Sequence, residues 1–196
     1  MVGDPKKHYN NWCDINASDE VLKWISDGIS LNSKSLPPQF VLDNRPLAQV
    51  QSQFVDKEIS SLVKNGIIVE CAHDFPICIS PLSCVPKKHK KFRLINDLRK
   101  LNEHISCPQL CYEDIRTLKD IVQPNDLLIS VDIESGYHHI AVNWEYSRYL
   151  GIRWRGRTYV WRRLPFGLNV SAYFFVKTVR AIIAYLRSEK LRTLAY

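Results

Sequence analysis

The most constraining feature of this chain is an apolar run, Leu-Leu-Ile-Ser-Val-Asp-Ile at residues 127–133, which carries a single carboxylate at Asp132. The run is the strongest strand candidate in the sequence, and an ionised carboxylate buried in it without a partner would be costly. Asp132 is therefore expected at a strand end, against a cation or on a metal ion. An aspartate that ends a strand is more often a turn or capping residue, so this residue alone leaves both interpretations open.

The residues after Asp132 bear on that choice. Glu134, Ser135 and Gly136 form a turn of small and polar residues, and the aromatic ring of Tyr137 follows. This order suits a metal-held triphosphate, since the carboxylate can bind Mg²⁺, backbone N–H groups can meet phosphate oxygens and the ring can cover the sugar. The alternative is a tight turn with a packed tyrosine, and the local pattern favours neither.

The charge of the chain favours an anionic partner. Lys and Arg number 27 against 20 Asp and Glu, a formal net charge of +7, and no acidic residue occurs from Tyr146 to Ser188. Basic side chains neutralise phosphates and aromatic faces accept bases, so the basic and aromatic residues here predict a nucleic-acid groove. A solvated charged face is the simpler alternative. The arginines assigned to the groove are Arg153, Arg155, Arg157, Arg162 and Arg163.

Short β-prone segments alternate with amphipathic helices along the chain, which favours an α+β fold. A helix is predicted within residues 46–66, where Val50, Phe54, Leu62 and Val63 recur at roughly helical spacing. Further helices are predicted at residues 20–25, 115–122 and 170–188, the last with Asn169 or Ser171 as its N-cap. Predicted strand pairs join residues 82–85 to 92–95, and 150–154 to 158–161 across an Arg155-Gly156 turn.

No apolar run approaches the roughly 18 residues that a membrane span requires, and the N-terminus lacks the apolar stretch of a secretory signal. The sequence therefore predicts an intracellular protein, cytoplasmic or nuclear, without a membrane partner.

Three segments, in the right order, resemble the reverse transcriptase domain of retroelements. The first resembles the fingers segment of that family, the second the motif with its first catalytic aspartate, and the third the substrate-side motif that follows. They are Pro81-Leu82 with Val85-Pro86-Lys87-Lys88 and residues 92–102; Ser130-Val131-Asp132-Ile133 with Gly136-Tyr137; and Leu164-Pro165-Phe166-Gly167-Leu168 with Ser171-Ala172. The resemblance covers residues 45–196, and the sequence as a whole is similar to those of DIRS-like retrotransposon enzymes.

The resemblance implies a magnesium site. Asp132 matches the first metal-binding carboxylate, and the carbonyl of Ile133 matches a main-chain ligand of the nucleotide-bound metal. Two Mg²⁺ ions act in the complete enzyme, one on the primer 3′-hydroxyl and one on the departing pyrophosphate.

The resemblance also implies a pocket for the incoming dNTP. The fingers residues that grip the triphosphate match Arg93 and either Lys87 or Lys88. The ring that rejects a ribose 2′-hydroxyl matches Tyr137. The other dNTP-binding positions are Ser135 and Gly136 in the turn, and Phe166 and Gly167 in the pocket floor.

The implied architecture is that of right-hand polymerase fingers and a partial palm, an antiparallel sheet backed by helices. Residues 1–45 form an upstream lead-in, 46–125 a fingers-like subdomain and 126–196 the partial palm, with fingers strands returning at 148–165. The implied activity is RNA-directed DNA polymerase, a nucleotidyltransferase of a retrotransposon. Its partners are an RNA or DNA template with primer, and dNTPs.

One departure from the family concerns its second metal motif, an aromatic residue, a variable residue and two aspartates. The sequence ends Leu194-Ala195-Tyr196, at the first letter of that motif. With Asp132 as the one matching carboxylate, the 196 residues are expected to lack polymerase activity by themselves. The alternative function is a non-catalytic, nucleic-acid-binding remnant of a retroelement.

Overall fold

The computed structural model describes residues 2–31, 37–87, 91–111 and 113–195. Its α-helices are α1 (Tyr9–Asp14), α2 (Asp19–Asp27), α3 (Gln49–Lys64), α4 (Arg99–Asn102), α5 (Leu118–Ile121), α6 (Trp144–Ser147) and α7 (Ser171–Ser188). Its strands are β1 (Phe40–Val41), β2 (Ile68–Cys71), β3 (Cys78–Ile79), β4 (Leu82–Lys87), β5 (Lys91–Asn96), β6 (Gly151–Trp154) and β7 (Arg157–Trp161). Short 3₁₀ turns cover Pro5–His8, Ile115–Thr117 and Gly136–His139.

Five strands form one mixed sheet in the order β1-β3-β6-β7-β2. β7 pairs antiparallel with β2 and β6, whereas β3 pairs in parallel with β1 and β6. The expectation of an antiparallel sheet is therefore wrong at the β1 edge. Long connections that contain helices separate β1, β3 and β6 along the chain, and connections of that kind let strands run in the same direction.

The β6–β7 hairpin forms as predicted. Its turn residues, Arg155 and Gly156, have positive φ angles of 49° and 74°. Two successive residues with positive φ make the tight turn whose twist matches that of the flanking strands. Residues 158–161 of β7 are buried, so the hairpin anchors the middle of the sheet.

A second sheet joins β4 to β5 in antiparallel pairing, from Leu82 opposite Asn96 to Lys87 opposite Lys91. This pairing confirms the two-stranded element predicted from the sequence. The first half of β4 is buried and its second half is exposed, so the Lys87 end of this strand lies in solvent.

The predicted helix within residues 46–66 forms as α3, but its buried face differs from the predicted one. Val55, Ile59 and Leu62 are buried, whereas Val50 and Val63 are exposed. The buried residues follow the i, i+4, i+7 spacing of a single helical stripe, while the predicted set mixed two faces. Through this stripe α3 packs against β2 and β5.

The apolar run at 127–133 does not form the predicted strand. Leu127 is 96% exposed and Ile129 is 90% exposed, and the backbone between them is irregular. A strand needs a neighbour for its backbone hydrogen bonds, and none of the strands in the described parts of the chain pairs with this run. The prediction is wrong for this structure because composition cannot supply a partner strand.

The long C-terminal helix forms as α7, within one residue of its predicted start. Neither predicted N-cap is used. Val170 occupies the cap position without a side-chain bond, and the Ser171 hydroxyl donates to the carbonyl oxygen of Pro165 at 2.8 Å. α7 packs against α2 and the Gly136–His139 turn.

The helix predicted at residues 115–122 is divided in the structure. A 3₁₀ turn at Ile115–Thr117 precedes the short α5, which ends before Pro124. Ile115 and Val122 are exposed whereas Leu118 and Ile121 are half-buried, so the predicted apolar face is only partly covered. Every helix in the described parts of the chain is too short or too polar to span a bilayer.

Candidate nucleotide site

The floor loop, residues 164–170, leads into α7 and carries Phe166 and Gly167. Gly167 has a φ of +92°, and a Cβ atom there would lie 3.1 Å from the carbonyl oxygen of Asn96. Both features favour glycine, which tolerates positive φ and lets the loop lie directly against β5. Phe166 is 56% exposed, so its ring presents an aromatic surface at the edge of the loop.

Two asparagines tie the floor loop to α4. The side-chain Nδ2 of Asn102 donates to the carbonyl oxygen of Gly167 at 2.9 Å, and the backbone N–H of Asn169 donates to Oδ1 of Asn102 at 3.0 Å. In return, Nδ2 of Asn169 donates to the carbonyl oxygen of Ile105 at 3.1 Å. Asn169 therefore fixes the loop instead of capping α7. One signal was available: a glycine-containing loop between apolar residues needs side chains to satisfy its backbone groups.

Tyr137 lies beside the floor. Its ring centroid is 4.9 Å from that of Phe166 at an interplanar angle of 44°, and 5.6 Å from that of Phe175 in an edge-on arrangement. A Cβ atom on Gly136 would lie 2.7 Å from the Phe175 ring, so a larger residue there would displace that ring. Two segments predicted separately for the nucleotide pocket thus meet side by side.

His138 is buried beneath Phe166, a position that the sequence analysis missed. Its ring stacks on Trp161 with centroids 5.8 Å apart and meets Phe166 edge-on at 5.3 Å. Burial, helped by the neighbouring His139, lowers the pKa of His138 from 6.5 to about 4, so the ring is neutral near pH 7. Its Nε2 atom is buried and has no hydrogen-bond partner among the described residues.

Asp132 and Ile133, the predicted metal ligands, lie in the exposed segment that precedes the turn. No ion pair joins Asp132 to another residue that the structure describes. Within the same residues, no three His, Cys, Asp or Glu side chains come together as a metal site. A carboxylate and a main-chain carbonyl are ligands that Mg²⁺ accepts, so these residues fit the beginning of a magnesium site but not a two-metal site.

Lys87 and Arg93, predicted to grip the triphosphate, lie on the β4–β5 hairpin. Arg93 pairs opposite Val85, and Lys87 is at the exposed end of β4. Lys88 lies outside the described residues. The structure thus brings the two described basic residues onto the exposed part of one hairpin.

Three of the five arginines predicted for a nucleic-acid groove lie on the β6–β7 hairpin. Arg155 forms an ion pair of 2.9 Å with Asp56, and its hydrogen bond lowers the pKa of that carboxyl group. Arg157 forms an ion pair of 3.3 Å with Glu70. Arg153 is half-buried. Exposed ion pairs contribute little to stability, so a phosphate could compete for Arg155 and Arg157.

The other two arginines have internal contacts. The Arg162 guanidinium lies 4.6 Å from the ring centroid of Trp144 and donates to the Ser147 hydroxyl at 3.1 Å. Burial lowers the pKa of Arg162. Arg163, with a side chain only 18% exposed, forms an ion pair of 3.4 Å with Asp4. The groove that joins all five arginines stays a prediction.

Comparison with known proteins identifies the relatives of this chain. A family model described as "Reverse transcriptase (RNA-dependent DNA polymerase)" matches residues 85–196. The chain is 25% identical over 146 residues to the Transposon Tf2-7 polyprotein of Schizosaccharomyces pombe, covering 74% of the chain and 11% of the polyprotein. It is 24% identical over 151 residues to the Pol polyprotein of equine infectious anemia virus, covering 74% and 13%. The chain thus spans about a tenth of the length of these relatives.

The fold is similar to that of a foamy viral protease-reverse transcriptase solved in complex with double-stranded DNA. The TM-score is 0.61 at 16% sequence identity, and the match covers 96% of this chain and 36% of the viral one. At that identity the similarity shows the fold alone. The family match spans more than half of the chain and includes Asp132, Tyr137 and the floor loop. The chain therefore belongs to the reverse transcriptase family.

Proposed function

We propose that this chain forms the nucleotide-binding part of an RNA-directed DNA polymerase, which adds dNTPs to a primer 3′-hydroxyl along an RNA or DNA template. The observation that carries the proposal is the contact between Tyr137 and Phe166, which joins the turn after Asp132 to the floor loop. The transposon and viral polyproteins among the relatives support a retroelement origin.

The residues of the site have separate roles in this proposal. The Phe166 ring and the Gly167 backbone support the nucleotide from below, and the Tyr137 ring excludes a ribose 2′-hydroxyl. Lys87 and Arg93, with Lys88, stabilise the negative charge that develops on the triphosphate.

Asp132 and the Ile133 carbonyl would hold Mg²⁺, in keeping with the use of that ion by the family. In the complete enzyme, two such ions would supply activation of the primer hydroxyl and stabilisation of the pyrophosphate. Asp132 alone cannot gather two cations, so the 196 residues should not extend a primer by themselves. A primer-extension assay checks this, and incorporation that Asp132→Ala abolishes would contradict it.

Several finer features belong to the same proposal. The chain is a portion of a DIRS-like polymerase. Residue 45 ends its lead-in and residue 125 ends its fingers-like subdomain. The polymerase acts in the cytoplasm or nucleus. The sequence motifs support these statements, and the 11% coverage of the transposon polyprotein supports the idea of a portion.

Nucleotide selection tests the proposal. In the presence of Mg²⁺, the chain should bind dGTP more tightly than GTP, and Tyr137→Ala should reduce that preference by about tenfold because the excluding ring is gone. Tyr185→Ala is the matched control, since Tyr185 lies on the exposed side of α7. Equal binding of dGTP and GTP by the unaltered chain, or an unchanged preference in Tyr137→Ala, would contradict the proposal.

Nucleic-acid binding separates the two candidate functions. Affinity for a primer-template duplex should fall as salt rises, because phosphate contacts release counterions. Salt-dependent duplex binding without any dGTP binding would instead indicate a non-catalytic nucleic-acid-binding remnant. A flat salt response would contradict both functions.

A further inference from the structure

The N-terminal segment, residues 2–8, lies against the turn that carries Tyr137. The backbone N–H of Gly3 donates to Nδ1 of His139 at 3.2 Å. On the other side of the same ring, Nε2 of His139 lies 3.1 Å from the carbonyl oxygen of Glu134. A single side chain therefore bridges the N-terminal segment and the beginning of the turn, across more than 130 positions of sequence.

The two contacts require one protonation form of the ring. An amide N–H can only donate, so Nδ1 of His139 must carry a lone pair. A carbonyl oxygen can only accept, so Nε2 must carry the hydrogen. The bridge from Gly3 to Glu134 is therefore complete only with a neutral His139 ring in the Nε2–H tautomer.

Further contacts hold the N-terminal segment in this place. Arg163 donates from Nη1 to the carbonyl oxygen of His139 at 3.1 Å and forms its ion pair with Asp4. The Lys6 ammonium group donates to the carbonyl oxygen of Ser26 at the end of α2, at 2.7 Å. Both the ring and the backbone of His139 are thus tied to the segment, which is itself anchored on α2.

The turn at residues 134–139 has a strained backbone, which contacts from outside the turn stabilise. Ser135 has a φ of 54°, a left-handed conformation that a residue with a side chain rarely adopts. Conformations of this kind persist only where surrounding contacts hold them. Within the turn, the backbone N–H of His138 donates to the carbonyl oxygen of Ser135 at 2.8 Å, and the His139 bridge closes the loop at Glu134.

We propose that the N-terminal segment positions the nucleotide pocket, and that His139 is the positioning residue through which it acts. The segment holds His139, His139 holds the carbonyl of Glu134, and the turn thereby presents Ser135, Gly136 and Tyr137 to the nucleotide. The role assigned to the pocket rests on the proposed function, whereas the tie itself can be measured without a nucleotide.

Two substitutions separate the halves of the bridge. The Nε2 atom of glutamine lies near the Nε2 position of histidine, so His139→Gln keeps the bond to Glu134 and loses the one to Gly3. The Oδ1 atom of asparagine lies near Nδ1, so His139→Asn keeps the bond to Gly3 and loses the one to Glu134. His8→Gln, at an exposed histidine of the same segment, is the matched control.

Amide hydrogen exchange on the 196-residue chain reads out each half. In His139→Gln, exchange should be about five- to tenfold faster in residues 2–8, as expected for loss of one hydrogen bond. At 134–138 it should rise by a smaller factor, because the bond to Glu134 is kept but is no longer anchored to the segment. In His139→Asn the pattern should reverse. Unchanged exchange in both variants, or equal acceleration of both regions in both, would overturn the proposal.

The tautomer is a second readout, which a purely space-filling role would not predict. Long-range ¹H–¹⁵N correlation on the unaltered chain near pH 7 should show His139 as the neutral Nε2–H form. An Nδ1–H tautomer or a charged ring would overturn the bridge.

Nucleotide binding then separates the two proposals. If the tie holds the pocket, His139→Asn should lower the preference for dGTP over GTP more than His139→Gln does, and His8→Gln should leave it unchanged. An unchanged preference in His139→Asn would overturn the positioning role. Absence of dGTP binding in the unaltered chain would contradict the proposed function, while the exchange pattern would still decide whether the tie exists.

Discussion

The floor loop at 164–170 and the acid segment at 127–133 are the two halves of the candidate site, and they are held in opposite ways. Leu164, Leu168 and Val170 of the floor loop are buried, and side-chain amides bond its backbone. The acid segment is about as apolar, yet Leu127 and Ile129 are exposed. The two segments therefore differ in the residues that pack against them and bond their backbones, and not in composition.

The comparison shows what each half requires. A loop can be held by a few side-chain hydrogen bonds and by packing of its flanks, which the described chain supplies through Asn102 and α7. An apolar extended segment needs a neighbouring strand, because its backbone groups and both of its faces must be covered. Among the described residues, the floor loop has the contacts that hold it, whereas the acid segment has no strand beside it.

Matched leucine substitutions should produce the largest contrast. Leu164→Ala removes a fully buried side chain and should lower the free energy of unfolding by about 3 kcal/mol. Leu127→Ala should change it by less than about 0.5 kcal/mol, because Leu127 is almost fully exposed. Urea denaturation measures both, and similar losses in the two variants would break the comparison.

Acidic pH should lower the free energy of unfolding through His138, which packs against Phe166 of the floor loop. Its pKa in the folded chain is lowered to about 4, so the unfolded chain takes up a proton first as the pH falls below 6.5. The free energy of unfolding should therefore decrease between pH 6.5 and 4, by about 2 to 3 kcal/mol in total from this group. The contribution is fully present above pH 6.5.

His138→Phe isolates this contribution, because phenylalanine keeps an aromatic ring against Trp161 and cannot titrate. The variant should lose less stability than the unaltered chain over the same pH range, and His8→Gln should follow the unaltered chain. Parallel pH profiles for His138→Phe and the unaltered chain would assign the acid sensitivity to other groups.

A smaller effect is expected from the asparagine ties. Asn102→Ala removes the donor to Gly167 and the acceptor for Asn169, and should lower the free energy of unfolding by about 1.5 kcal/mol. Because Asn102→Ala removes this acceptor, the Asn169 amide should lose its protection from hydrogen exchange. Asn10→Ala, at an exposed position of α1, is the control. Unchanged protection of the Asn169 amide in Asn102→Ala would show that the loop is held in another way.

Predictions from the sequence succeeded where the controlling contacts are local. The β6–β7 hairpin follows from the Arg155-Gly156 turn, and α7 follows from a long uninterrupted helical run. The site motifs around Tyr137 and Phe166 could be assigned their places in the pocket only through resemblance to a family. The acid segment failed as a strand because its own residues contain no information about which strand lies beside it.

The sequence by itself determined α3, α7 and the two hairpins, because these depend on residues within a few positions of one another. Only the tertiary structure decided which distant groups meet. The contact of Tyr137 with Phe166, the Asn102 ties to the floor loop and the bridge from Gly3 to Glu134 join separate segments. A ring contact or a directional hydrogen bond needs both partners within a few ångströms, and that proximity is set by how the whole chain packs.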